Sequence, residues 1–353
     1  MLKINLLFSC ILTFSLLSAC FPAPPSPSLE SPAPLTPDEL LTMTAPLIPY
    51  MPANIQSQHH WPSRPITIIV PFLAGDDTDL FARMLAPFLA DTLGQPIYVI
   101  NIDGSSGVLG TECASQTTPD GYTVLFHHAG GLLTNFLAGT TELNHNDFEI
   151  ACFAMNCYAS VLAIRSDIGI ECAESFLAYM RANPKELSVA SVNYGMSFIL
   201  LRLAESIAGF SSNNINVGAG GMISPAILAG YADLGYIHLP QALPHIESGK
   251  LTPLWIAASE RNPLLPDVPT MAEIGINSAY IGGAYLFAFP KNTDEAILRR
   301  MSDAVGQITN SPNFRRQLYS TVGNAGVFVP FSEADTYIGK IWDQLYSFGD
   351  DIR

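Results

Sequence analysis

Two glycine-bearing turns, each following an apolar strand, hold the residues of this chain best suited to chemistry. The first is Ala74-Gly75-Asp76-Asp77-Thr78-Asp79, after residues 66–72, and the second is Asp103-Gly104-Ser105-Ser106-Gly107, after residues 97–101. Each leads into a helical pattern. A helix start leaves backbone N–H groups unpaired and carries a partial positive charge. Two such starts aimed at one cleft would hold a small anion such as a carboxylate. In an α/β sheet, turns of this kind sit at the carboxyl ends of parallel strands, where ligands bind. Turnover is not expected. No Ser/His/Asp constellation stands at recognisable spacing, Gly-x-Ser-x-Gly is absent, and no Walker A or GxGxxG fingerprint is present. Gly104, Gly107 and Gly110 stand three apart, a weak sign of any dinucleotide, so no catalytic residue and no cofactor is expected.

The elements around these turns alternate between short strands and longer helices. Residues 80–93 place Phe81, Leu85, Phe88 and Leu89 on one helix face. On that helix Arg83 is expected to pair with Asp79, which acts as a cap or support. Pro119-Asp120-Gly121-Tyr122-Thr123 reads as a turn feeding a strand at 124–126. Further strands are predicted at 158–164, 189–192, 254–258 and 285–289. Helices are predicted at 172–182, from the turn Asn193-Tyr194-Gly195-Met196-Ser197 through 207, and at 294–309, 312–322 and 332–348. This alternation predicts a mainly parallel α/β architecture. No fixed period repeats, so a solenoid is not expected.

The chain has 353 residues, enough for two domains with sizeable cores. Hydrophobic residues make up 48% and charged residues 13%, the balance of a globular protein. A formal net charge of −15 opposes binding to nucleic acid or to an anionic membrane surface. Anion capture would therefore rest on local dipoles. Lys3, the apolar run 4–17 and Leu17-Ser18-Ala19-Cys20 resemble a bacterial lipoprotein signal, with residues 1–19 removed and Cys20 lipidated. The run is shorter than the ~20 residues a spanning helix needs. Residues 20–60 carry ten prolines and read as an extended tether. Of the remaining cysteines, Cys113, Cys152, Cys157 and Cys172, three full pairings are open, with Cys152 and Cys157 the closest in sequence. No metal is expected, because CxxC is absent and the histidines are scattered. His127 and His128 read as polar strand-end residues pointing to opposite faces.

Taken in order, Trp61-Pro62-Ser63-Arg64-Pro65-Ile66, Val70-Pro71-Phe72, Thr78-Asp79 with Arg83, and Leu93-Gly94-Gln95-Pro96 resemble a known family. So do Asn101, Gly104, Gly107, Gly110, Pro119-Asp120-Gly121-Tyr122-Thr123, Leu243-Pro244-His245-Ile246, Gly249-Lys250-Leu251 and residues 265–273. The family is the Bug-type extracytoplasmic solute receptors of tripartite tricarboxylate transporters, and the resemblance runs from Trp61 to Phe348. It implies a two-domain periplasmic-binding-protein (flytrap) fold with crossover strands at 160–164 and 284–289. Domain one would hold 61–162 and 286–353, and domain two 163–285. It implies capture of a small carboxylate, a di- or tricarboxylate or an amino-acid-like acid, for delivery to membrane transporter subunits. A monomer, held to the membrane through its lipid anchor on the extracytoplasmic side, is the implied state. Carried onto this chain, the first grip is Ala74, Gly75, Asp76, Thr78 and Asp79, and the second is Gly104, Ser105, Ser106 and Gly107. A third is the loop with Ser191, Asn193, Gly195 and Ser197, at a helix start in domain two, and a fourth is 217–221.

Two departures stand out. Asp76 replaces a usual glycine and is followed by Asp77. A carboxylate there would oppose an anionic ligand by ~4 kcal/mol at ~4 Å in an effective dielectric of ~20, enough to abolish micromolar binding. Asp76 is expected either as an exposed turn or cap residue, as a partner for a ligand amine, or as a cation ligand. In domain two, Val217-Gly218-Ala219-Gly220-Gly221 replaces a Pro-Tyr-Lys-Gly stretch and removes the tyrosine and lysine. These departures motivate a second reading, a receptor-derived sensor or scaffold acting through a protein partner.

Overall fold

The computed structural model describes residues 61–156, 160–258, 260–276, 283–324 and 326–346. The signal segment, Cys20, the proline-rich tether and Cys157 lie outside them. Among the described residues, no helix is long and apolar enough to cross a membrane.

Two five-stranded sheets organise the chain. The first has the order β2-β1-β3-β10-β4 and the second β7-β6-β8-β5-β9. In the first, β1 (Ile66–Val70) pairs in parallel with β2 (Ile97–Asn101) and β3 (Thr123–His128). In the second, β6 (Ser188–Ser191) pairs in parallel with β7 (Asn213–Asn216) and β8 (Leu234–His238). The remaining ladders are antiparallel, which corrects the expectation of mainly parallel sheets. Here β10 (Ala284–Pro290) runs against β3 and β4 (Phe148–Asn156), and β5 (Ser160–Arg165) runs against β8 and β9 (Leu251–Ala257). The reason is the change of sheet. The chain leaves the first sheet after Asn156 and returns after Ala257, so β5 and β10 enter their sheets at the end where β8 and β3 finish. Ser160 thus pairs with His238, and Tyr285 with His128. The expected crossover segments 160–164 and 284–289 fall within β5, in the second sheet, and β10, in the first.

Helices cover the sheets. Helix α1 (Asp77–Leu93) buries Phe81, Leu85 and Leu89 against β1, as its spacing requires, and stops at Gly94 in a left-handed conformation. Its partner layer is α8 (Glu295–Thr309) and α9 (Pro312–Val322). The other face of the first sheet joins the second lobe in one continuous core that runs from Leu125 and Leu286 to Leu162 and Trp255. Strand β1 has four of its five residues buried, consistent with a strand covered on both faces.

Gly110, in α2 (Val108–Ser115), packs where no side chain fits. A Cβ there would lie 2.5 Å from the Ile102 carbonyl oxygen and 2.7 Å from Pro71. Both neighbours belong to the strand ends that carry the two turns. Gly110→Ala is expected to cost about 1–3 kcal/mol through this overlap. The check is a urea titration, in which the midpoint falls while the slope stays constant.

Candidate functional site

The cleft ends of the strands and the starts of the helices line a cavity of about 60 Å³. The first lobe contributes Phe72, Asp76, Asp77, Asp103, Ser106, His128 and Gly131. The second contributes Ser160, Val192, Gly195, Met196, Ser197, Gly218, Ala219, Gly220, Ile223, Tyr236 and His238. Three polar contacts join the lobes beside it. The Ser106 hydroxyl donates to the Asn193 carbonyl oxygen (3.2 Å), Gln241 Nε2 donates to the Gly75 carbonyl oxygen (3.1 Å), and His238 Nδ1 lies 3.2 Å from Asp77 Oδ2.

At the start of α1 the anion position is already filled. Asp76 Oδ1 accepts the Asp77 N–H at 2.9 Å, and Asp77 Oδ1 accepts the Thr78 N–H at 2.7 Å. The chain's own carboxyls thus take the N–H groups that the sequence suggested for a solute. Asp76 is only 4% exposed, so it is the cap expected of it but not an exposed one. Burial, with Asp77 and Asp103 nearby, holds its carboxyl well above the ordinary value of 3.8. Asp77 goes the other way. Although burial opposes its charge, His238, His128, the Tyr285 hydroxyl and the Thr78 N–H together hold it below 3.8. The two neighbouring carboxyls are thus pushed in opposite directions.

Gly220 explains how Asp76 fits. A Cβ on Gly220 would lie 3.1 Å from Asp76 Oδ2. The two departures, an aspartate in one lobe and a glycine-rich loop in the other, are thus complementary.

Asp79 is a brace. Its Oδ2 accepts the Gly75 N–H (2.9 Å), and its Oδ1 accepts from Arg83 Nε (2.8 Å) and Asn101 Nδ2 (2.9 Å). Asn101 also donates to the Phe72 carbonyl oxygen (3.0 Å), tying the ends of β1 and β2 together. Arg83 is committed to Asp79 and Asn101, as expected. Among the described residues, no lysine or arginine lines the cavity.

The start of α5 (Met196–Ala208) is different. Gly195 supplies no side-chain cap, and the Met196 and Ser197 N–H groups make no hydrogen bond among the described residues. Ser197 Oγ accepts the Val192 N–H (3.0 Å), which leaves its hydroxyl proton for a ligand.

Of the residues expected in the site, Asp76, Ser106, Gly195 and Ser197 line the cavity. Ala74, Gly75, Thr78, Asp79, Gly104, Ser105, Gly107, Ser191 and Asn193 do not. Thr78 is fully buried, and the Ser191 hydroxyl donates to Asn214 Oδ1 (2.5 Å). Ser105 and Ser106 both adopt left-handed backbone, with φ of 49° and 57°, at a cost of about 1–3 kcal/mol each. Asp77 was expected only as part of the first turn, and His128, Ser160, Tyr236 and His238 were not expected among the site residues. Of these four, His128 carried a signal, as one of two adjacent histidines at a strand end. Its Nδ1 accepts the Gly131 N–H (2.9 Å), and burial lowers its pKa to about 4. His127 is fully buried edge-on against Phe72, with neither ring nitrogen hydrogen-bonded. Cys113 is exposed and Cys152 buried, neither of them in a disulfide.

Residues 81–342 match the sequence profile of the tripartite tricarboxylate transporter family receptor. The chain belongs to that family. BugT of Bordetella pertussis is 30% identical over 254 residues, covering 71% of this chain and 78% of BugT. The solved structure of the periplasmic binding protein BugD is 25% identical with a TM-score of 0.70, covering 82% of this chain and 97% of that one. The fold also matches MatC from Rhodopseudomonas palustris, 24% identical with a TM-score of 0.72, over 83% of this chain and 100% of that one. The two-sheet α/β architecture is thus the two-domain flytrap of periplasmic binding proteins. The family is one of extracytoplasmic solute receptors and not of enzymes.

The raised pKa of Asp76 sets a pH test. Because its folded pKa is raised, the folded state binds more protons than the unfolded one above pH 3.8, so this group costs stability as pH rises. Asparagine keeps the cap and removes the titration. Asp76→Asn is expected to melt at or above the wild-type temperature at pH 7, with the difference shrinking toward pH 4. Thermal melts across that range check it.

Proposed function

We propose that this receptor captures a small carboxylate, a di- or tricarboxylate or an amino-acid-like acid, and delivers it to tripartite tricarboxylate-type membrane subunits. The observation that carries the reading is the open start of α5, where Gly195, Met196 and Ser197 line the cavity and no side chain caps the helix. A helix start with unpaired donors favours a carboxylate even without a cationic side chain. MatC, of the same fold, is described with bound malate. Family membership supports delivery to a transporter.

In this reading the moving bodies are about 61–162 with 286–353, and 163–285. The solute would shift an open–closed equilibrium toward the closed arrangement in which the Ser106, Gln241 and His238 contacts form. Ser106 and Ser197 then act from opposite walls, while Asp79 and Asn101 hold the first-lobe turns in place. Anchoring through a lipid on Cys20, with the 20–60 segment as tether, would stand the receptor off a bacterial membrane.

Thermal unfolding against a panel of di- and tricarboxylates, aromatic acids and amino acids tests the reading. A ligand at a hundred times its Kd is expected to add ~2.7 kcal/mol. Ser197→Ala is expected to weaken that ligand about 2- to 10-fold, the loss of one hydrogen bond of ~0.5–1.5 kcal/mol, and to lower the unliganded melt slightly because the Val192 N–H loses its acceptor. No response across the panel from a folded protein would contradict the solute reading. For the anchor, Cys20→Ala is expected to release the protein from the membrane fraction and to abolish labelling with a radioactive fatty acid.

A further inference from the structure

We propose that Asp76 and Asp77 occupy the place of a second solute carboxylate, so that the cleft selects acids with one carboxylate and no other anionic group. The selection rests on the carboxylate-receptor reading above and narrows it, leaving out di- and tricarboxylates. A cleft between two helix starts offers one place for an anion on each lobe. At α1 that place is filled from within the chain. Asp76 Oδ1 accepts the Asp77 N–H at 2.9 Å, and Asp77 Oδ1 accepts the Thr78 N–H at 2.7 Å. At α5 no side chain takes it, since Gly195 at the cap position has none to offer.

The rest of the first-lobe wall is equally committed. The Ser106 hydroxyl donates to the Asn193 carbonyl oxygen, the Tyr285 hydroxyl donates to Asp77, and the Asp76 and Asp77 carboxyls share a hydrogen bond. Asp76, Asp77 and Asp103 all line this wall, and no lysine or arginine among the described residues stands beside them. A solute carboxylate brought there would lose its water, meet like-charged groups and gain no cation in return.

The opposite wall is shaped to the built-in carboxyl. A Cβ on Gly220 would lie 3.1 Å from Asp76 Oδ2, so the second-lobe loop makes room for this side chain. The usual glycine at position 76 would leave the Asp77 N–H free for a solute oxygen, whereas the aspartate supplies its own. Phe72, Val192, Met196 and Ile223 give the cavity apolar surface for the uncharged remainder of the solute. Discrimination of this kind comes from what the site refuses as much as from what it holds.

Calorimetric titration of matched acids into the full chain tests the selection, with butanoate set against succinate, pentanoate against glutarate and benzoate against terephthalate. In each pair that binds, the monocarboxylate is expected to bind at least about tenfold tighter than its diacid partner. Asp76→Gly removes the built-in carboxyl and frees the Asp77 N–H. It is expected to cut that preference at least about tenfold by tightening the diacid. Asp76→Ala makes the same comparison should the glycine variant fail to fold, and circular dichroism checks both. A diacid that binds the wild-type chain as tightly as its partner overturns the selection and keeps the receptor reading. Folded variants with the wild-type preference overturn the role of Asp76. No binding by any acid of either kind overturns the receptor reading, and the selection with it.

Discussion

The first turn of a helix has only a few unpaired N–H groups, and whatever takes them decides what a cleft can bind. In this chain the start of α1 is taken by Asp76 and Asp77, whose carboxyls accept the Asp77 and Thr78 N–H groups. The rest of the site follows from that occupation. Burial and the neighbouring Asp77 carboxyl push the Asp76 pKa well up, while His238, His128 and the Tyr285 hydroxyl hold that of Asp77 down against its burial. The wall opposite must leave room for the displaced oxygen, and Gly220 leaves it. In the proposed function the carboxylate is held instead from the other lobe, where α5 begins with no side-chain cap.

The fold makes this exchange between lobes direct. Because the chain changes sheet twice, β5 and β10 enter at the cleft and run antiparallel to β8 and β3. That puts Ser160 beside His238 and Tyr285 beside His128 at the very end of each sheet. Strands this deeply buried hold those side chains at fixed positions, and the Asp79–Asn101–Arg83 network does the same for the turns. The left-handed backbone at Ser105 and Ser106 is the strained element in an otherwise well-braced loop.

Much of this was legible in the amino-acid sequence, and the limits have physical causes. Helix α9 begins and ends where Pro312 and Gly323 punctuate it, and α1 shows its buried face in Phe81, Leu85 and Leu89. Asp79 and Arg83 stand four apart on one helix, so their pairing could be read directly. Strands β7 and β8 could not, since Asn-Asn-Ile-Asn and Leu-Gly-Tyr-Ile-His owe their strand form to neighbours rather than to their own pattern. The site was half visible for a related reason. Turn residues such as Ser106 and Ser197 announce themselves by type and place, whereas His238 and Tyr236 reach the cavity only through the register of β8. Ser191 shows the opposite failure, since it has the right type and place but spends its hydroxyl on Asn214.

The most direct measurement is a crystal structure of the receptor with a bound carboxylate. The expected result places solute oxygens within hydrogen-bond distance of the Met196 and Ser197 N–H groups, with Asp76 and Asp77 still capping α1. A carboxylate seated instead on the Asp77 and Thr78 N–H groups, with Asp76 turned away, would contradict it.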